Sequence, residues 1–174
     1  MDEILNKAAA VRLAVFDVDG VLTDGRLILG SGGEEHKSFH VHDGLGLVLL
    51  QKADIRVAVI SARASPVVAE RMASLGIEYV YQGREDKRET LDGLMRDLGI
   101  APAQTMYVGD DLLDLPAMKA VGLAVAVADA HPFVAEHADW VTRRDGGRGA
   151  VREACELLLR GQGRLDRMYR EYLG

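Results

Sequence analysis

Four short apolar runs, separated by amphipathic stretches, constrain this chain more than any other feature. Residues 13–16 (LAVF), 57–60 (VAVI), 105–108 (TMYV) and 123–127 (LAVAV) are too short for stable helices and show no polar alternation. Runs of that kind read as parallel strands buried on both faces. Residues 78–81 and 140–142 are weaker strand candidates. Between them lie helices with legible ends. Ser65-Pro66 is an N-cap followed by proline at the first helical position, Val68, Met72 and Leu75 mark one face, and Gly76 stops the helix. Asp86-Lys-Arg-Glu89 is a capping-box variant before Leu91, Leu94, Met95 and Leu98, with Gly99 as terminator. Residues 150–159 form a further helix that buries Val151, Ala154, Cys155 and Leu158. Strand and helix in alternation predict an α/β fold, a doubly wound, Rossmann-like parallel sheet with right-handed crossovers.

One segment breaks the rhythm. Residues 26–29, then Gly30-Ser-Gly-Gly33, then residues 34–41 read as a β-hairpin inserted after the first strand. The expected organisation is one domain over residues 1–163, with the hairpin at 26–41 and a flexible, glycine-punctuated tail at 164–174. Leu165, Met168 and Tyr172 in that tail also fall at helical spacing, the pattern of a short amphipathic extension. Charge limits the partners. A net charge of −6 argues against a nucleic-acid or membrane-surface role, which needs clustered positive charge. The single cysteine, Cys155, excludes an intrachain disulfide framework and suits a reducing cytoplasm. Residues 1–10 carry early acidic residues and no long apolar core, unlike a signal peptide, and no apolar run is long enough for a membrane span.

The chemistry lies at the strand ends, where open α/β sheets bind ligands. Asp17-Val18-Asp19-Gly20 follows the first strand. Two such carboxylates repel each other unless a cation joins them, although Asp19-Gly20 alone can also be read as a turn. Ser61 ends the second strand. Lys87 starts a helix, where a cation opposes the helix dipole. Gly109-Asp110-Asp111-Leu-Leu-Asp114 ends the strand through Val108. Capping explains each residue singly; it does not explain all of them in chain order at ligand-binding ends.

The set Asp17-x-Asp19, Ser61, Lys87 and Gly109-Asp110-x-x-x-Asp114 resembles the four motifs of haloacid-dehalogenase-superfamily phosphatases. Further segments are similar to one family within it, the 3-deoxy-D-manno-octulosonate 8-phosphate phosphatases. These are Leu22-Thr-Asp-Gly25, Asp43-Gly44, Tyr81-Gln-Gly83, Tyr107-Val-Gly-Asp-Asp111, Val127-Ala-Asp-Ala-His-Pro132 and Gly146-Gly-Arg-Gly-Ala-Val-Arg-Glu153. The resemblance implies a Mg²⁺-dependent phosphomonoesterase acting through an aspartyl-phosphate, with Asp17 as nucleophile and Asp19 as general acid–base. It assigns the metal to the Asp17 side chain, the Asp19 backbone carbonyl and the Asp110 side chain. Lys87 then neutralises the phosphoryl oxygens and Ser61 donates to one of them. Asp114 orients Lys87 or supports the metal shell, and Asp111 stays open between metal support and capping.

The implied substrate is a sugar acid phosphate, 3-deoxy-D-manno-octulosonate 8-phosphate, on the route to lipopolysaccharide sugar. Arg63 suits its carboxylate, and Arg148 in Gly147-Arg-Gly149 offers a second such contact. The alternatives are a phosphatase for a nine-carbon sialic-type sugar acid phosphate and a catalytically silent oligomerisation module. Beyond the hairpin, the stretch between Gly20 and Arg56 leaves no room for a cap domain. The family resemblance replaces the cap with neighbouring subunits, joined through four hairpins in a homotetramer.

Overall fold

The computed structural model describes residues 1–173. In chain order its elements are α1 (Asp2–Ala10), β1 (Leu13–Phe16), β2 (Ile28–Leu29), β3 (Glu35–His36), α2 (Val41–Lys52), β4 (Arg56–Ile60), α3 (Pro66–Ser74) and β5 (Tyr79–Tyr81). There follow α4 (Lys87–Leu98), β6 (Thr105–Gly109), α5 (Leu115–Met118), β7 (Leu123–Ala126), α6 (Pro132–Ala135), β8 (Trp140–Val141), α7 (Ala150–Gly161) and α8 (Leu165–Arg170). Every apolar run picked out in the sequence is a strand of one parallel sheet, ordered β5-β4-β1-β6-β7-β8. The strand order turns outward in both directions from β1, so the crevice above β1 and β6 is a topological switch point.

Two apolar layers cover the sheet. Ala14 and Phe16 face a core shared with Leu47, Leu50, Met72, Val151 and Leu158, from α2, α3 and α7. Leu13 and Val15 face the opposite way, onto Leu91, Leu94 and Met118 of α4 and α5. Because both faces are buried, the strands lack polar alternation, and each large side chain so enclosed contributes about 1.5–3 kcal/mol.

The helix boundaries largely follow the local signals. Asp86 Oδ1 accepts from the Glu89 N–H at 2.9 Å, and Gly99 ends α4 with φ of +63°. Ser65 occupies the N-cap of α3, but its hydroxyl makes no capping bond.

Four regions differ from the sequence expectation. The hairpin is shorter: only Ile28–Leu29 and Glu35–His36 pair, and Val41 already belongs to α2. Helix α2 itself has no sequence signature, since Gly44 and Gly46 interrupt it and it is apolar on nearly every side. Its burial explains this: a Cβ at Gly46 would stand 3.2 Å from Arg152 Cα and Cys155 Sγ, so glycine permits the close crossing with α7. The short α1 likewise carries no sequence signal; it packs Ala8 against Gly161 of α7. Finally, the tail forms α8, and Leu165 and Met168 join the main core, as the amphipathic pattern would have them do.

Candidate active site

The register of the sheet assembles the site. Phe16 pairs with Val59 on one side and Val108 on the other, so Asp17, Ser61 and Asp110 emerge together at the carboxyl ends of adjacent strands. Beyond Asp17 the amides of Val21, Leu22 and Thr23 all converge on the Val18 carbonyl, which folds the chain into a single tight turn. Gly20 in that turn has φ of +95°, and a Cβ there would overlap the Asp110 carboxylate. Glycine is therefore required twice over, by backbone angle and by the approach of Asp110.

Asp17, Asp110 and Asp114 bring carboxylate oxygens within 4.8 Å of one another. Lys87, whose side chain is 3% exposed, lies 3.0 Å from Asp17 Oδ2 and 2.7 Å from Asp114 Oδ1. Three carboxylates thus face one ammonium, leaving an excess of negative charge. The protonation equilibria show it. Burial and the Asp114 charge push the Asp17 carboxyl up to about 7 against the pull of Lys87. Burial, then Asp114 and Asp17, push Asp110 up to about 8. Burial alone would lower Lys87, but Asp17 and Asp114 outweigh it and hold the ammonium charged.

The three carboxylates are not equivalent. Asp114 accepts from Lys87 and, at 2.9 Å, from the Tyr107 hydroxyl on Oδ1, and from the Asp110 and Asp111 N–H groups at 3.0 and 3.2 Å on Oδ2. A carboxylate has about four lone-pair sites, so Asp114 is saturated. Asp110 is the reverse: its Oδ1 is buried with no partner among the described residues. A buried, unpaired carboxylate oxygen beside another carboxylate fits a hard divalent cation that takes oxygen ligands, held directly by Asp17 and Asp110 while Asp114 orients Lys87 and the Asp110 loop.

The remaining candidate residues divide. Ser61 is buried, and its Oγ accepts from the Arg63 N–H at 3.2 Å, leaving the hydroxyl proton free to donate. Asp111 is exposed and accepts from the Leu112 N–H at 2.8 Å, which is the capping alternative. The Asp19 carboxylate lies outside the acidic cluster; it pairs with Lys37, with Arg63 Nε 3.8 Å away. Arg63 is half exposed and bonded to Glu35 at 2.6 Å. Arg148 is not brought to the acidic cluster: its guanidinium lies 3.6 Å from Asp24. His131 is structural, capping α6 through Nδ1.

Residues 72–153 match the haloacid dehalogenase-like hydrolase family. The 3-deoxy-D-manno-octulosonate 8-phosphate phosphatase of Escherichia coli K12 is 51% identical over 164 residues, spanning 94% of this chain and 87% of that protein. The chain belongs to the 3-deoxy-D-manno-octulosonate 8-phosphate phosphatase family. A solved structure of the Yersinia pestis member superposes with a TM-score of 0.94 at 47% identity, covering 95% of this chain and 89% of that one. The Moraxella catarrhalis phosphatase, solved with a magnesium ion, a phosphate ion and a KDO molecule, gives 0.97 at 41% identity, covering 99% of both chains.

The segments that look most particular to this family meet around the turn after Asp17. The His131 N–H donates to the Asp110 carbonyl at 2.8 Å, Gly146 N–H to Asp129 Oδ1 at 2.8 Å, and Gly147 N–H to the Val21 carbonyl at 2.9 Å. Three contributors carry no local signal in the sequence. Tyr107 is buried under Asp114. Asp43, also buried, accepts from the Gly149 and Arg152 N–H groups at 3.2 and 2.8 Å, and so anchors the Gly146 loop from over 100 residues away. Lys37 is enclosed between Asp19 and Glu35, on which it bonds strongly enough to stay charged despite burial. Two of them fall within segments that resemble the family, Asp43 in Asp43-Gly44 and Tyr107 in Tyr107-Val-Gly-Asp-Asp111, and Lys37 falls in none.

Proposed function

We propose that this chain is a magnesium-dependent phosphatase that hydrolyses 3-deoxy-D-manno-octulosonate 8-phosphate to the free sugar acid and phosphate, a step towards lipopolysaccharide sugar. The observation that carries the reading is the Asp17 carboxylate, fixed at a strand end by Lys87, with an unpartnered Asp110 oxygen beside it. Identity of 51% to a relative named for that activity supplies the substrate.

In this reading Asp17 attacks phosphorus in line and forms an aspartyl-phosphate, dividing one difficult displacement into two. Asp19 gives a proton to the leaving sugar oxygen, then takes one from the water that attacks the acyl-phosphate. Lys87 neutralises the phosphoryl oxygens, and the free Ser61 hydroxyl proton is donated to one of them. Magnesium, held by the Asp17 and Asp110 side chains and the Asp19 carbonyl, offsets the surplus negative charge when bound. Asp114 keeps Lys87 and the Asp110 loop in place, and Asp111 caps the turn that follows. Arg63 binds the sugar-acid carboxylate by exchanging it for Glu35, and Arg148 is a second contact once freed from Asp24.

The same reading makes the protein a cytoplasmic homotetramer. Leu27, Ile28 and Leu29 are 50%, 51% and 69% exposed on the hairpin, an apolar strand edge that a neighbour would cover. Such a neighbour would also exclude water from the intermediate, as no cap domain does here. The free, buried Cys155 thiol suits a reducing compartment. A phosphate-release screen across sugar phosphates, with and without Mg²⁺, tests the activity. Turnover of the eight-carbon acid phosphate that is lost with EDTA is expected; preference for a nine-carbon acid phosphate, or no turnover at all, would overturn the assignment.

A further inference from the structure

Asp17 and Asp19 are close anions at one strand end, and the fold supplies each with its own lysine. Lys87 reaches Asp17 from the start of α4. Lys37 reaches Asp19 from the hairpin, one residue after β3. The Lys37 side chain is 1% exposed, although the residue as a whole is half-buried and lies shallower than Lys87. Nothing in the phosphoryl chemistry derived above uses it. An ammonium is held out of water only where anions compensate it, and here two do so: Asp19 Oδ1, and Glu35 Oε1 at 2.9 Å. Glu35 is held in turn by Arg63 Nη2 at 2.6 Å. The cation is therefore held between two carboxylates rather than at the end of a free chain, and neither contact depends on Arg63.

We propose that Lys37 is a positioning residue that orients the Asp19 carboxylate for proton transfer to the leaving oxygen. The proposal rests on Asp19 being the general acid–base. Lys37 anchors Oδ1, while Arg63 Nε stays 3.8 Å from Oδ2, beyond hydrogen-bond length. Oδ2 is thus the atom left to carry the proton. As the bond from Asp17 to phosphorus forms, the bond from phosphorus to the sugar oxygen breaks. Its electron pair stays on that oxygen, which takes the proton from Asp19. Water later attacks the acyl-phosphate and returns a proton to Asp19. A general acid acts only within about 2.6–3.2 Å of its target. Without Lys37, the surplus anions at Asp17, Asp110 and Asp114 would drive Asp19 outward, with only the half-exposed Arg63 to restrain it. The hairpin that offers an apolar edge to a neighbour also carries this lysine, so it contributes to chemistry as well as to assembly.

The test compares Lys37→Met, Lys37→Arg and Asp19→Asn in full-length enzyme with saturating Mg²⁺. kcat/KM is measured for the sugar acid phosphate, whose alkoxide needs a proton, and for p-nitrophenyl phosphate, whose phenolate does not. This constant reports only the steps through aspartyl-phosphate formation. Lys37→Met is expected to lower kcat/KM for the sugar substrate at least about tenfold, within the 10²–10⁴-fold that general acid–base catalysis supplies, with little change for the aryl ester. Asp19→Asn should show the same selectivity more strongly, and Lys37→Arg should recover most of the loss. If Asp19→Asn is selective but Lys37→Met lowers both substrates alike, or neither, the lysine does not position Asp19 and the proposal falls alone. If Asp19→Asn is itself unselective, the acid–base assignment falls and takes the proposal with it. Lys37→Gln provides a second variant should Lys37→Met not fold; if neither folds, the lysine serves folding and the proposal is overturned.

Discussion

Replacing Lys87 with methionine isolates the electrostatic problem at the centre of this site. The ammonium is 3% exposed and compensates Asp17 at 3.0 Å and Asp114 at 2.7 Å. Removing one partner of a buried ion pair costs about 3–5 kcal/mol, because the remaining charge stays buried and unpaired. For a chain of this size about 2–4 °C of melting temperature corresponds to each kcal/mol, so metal-free Lys87→Met should melt roughly 10 °C below wild type at pH 8. The deficit depends on pH with a definite sign. Asp17 and Asp110 are raised, to about 7 and about 8, from an ordinary value of 3.8. Between about pH 4 and 8 the folded protein therefore binds more protons than the unfolded chain, and metal-free stability falls as pH rises, by up to about 1.4 kcal/mol per unit for each group. Lys87 is raised above 10.5, so its own stabilisation is fully present throughout that range. At pH 5 Asp17 and Asp110 already hold protons, less charge is exposed by the substitution, and the deficit should shrink. Magnesium at about a hundred times its dissociation constant adds about 2.7 kcal/mol and should flatten the pH dependence of wild type. Thermal melts of EDTA-treated and Mg²⁺-loaded protein at pH 5, 6.5 and 8 read all of this. A variant as stable as wild type at pH 8 without metal, or a deficit that grows towards pH 5, would refute the reasoning.

Asp17→Asn should abolish phosphate release while raising the metal-free melting temperature at pH 8, since it removes one of three buried carboxylates that share a single ammonium; appreciable turnover by the folded variant would rule out the covalent route. Leu29→Glu places a charge on a side chain that is 69% exposed in the single chain, so the fold should survive while light scattering reports a smaller species than wild type, as the proposed tetramer requires. An unchanged assembly size would remove the hairpin from any interface. Deleting residues 164–174 removes Leu165 and Met168, both 7% exposed, from the core and should cost about 3–6 kcal/mol by calorimetry or denaturant titration. A truncated protein of unaltered stability would show that Leu165 and Met168 contribute nothing to the core.

The parts of this protein legible in its sequence are those encoded by local pattern. Strands β1, β4, β6 and β7 are apolar without alternation because both faces are covered, and such runs can be recognised one at a time. Asp17, Ser61, Lys87 and Asp110 can be grouped from chain order alone because a parallel sheet brings its carboxyl ends to one edge whatever the intervening loops do. Helix α2 is illegible in the same way because its apolar residues leave no polar stripe and its glycines answer to distant partners, Gly44 to Arg71 and Leu75 and Gly46 to α7 over 100 residues later. The saturation of Asp114, the unpartnered Asp110 oxygen, the pairing of Arg148 with Asp24 and the enclosure of Lys37 against Asp19 were decided only by tertiary structure. Each depends on which donor, acceptor or charge arrives from a distant segment, and hydrophobic periodicity and capping motifs carry no record of that. The chain's own letters determine where its carboxylates can stand; packing determines which of them are free to react.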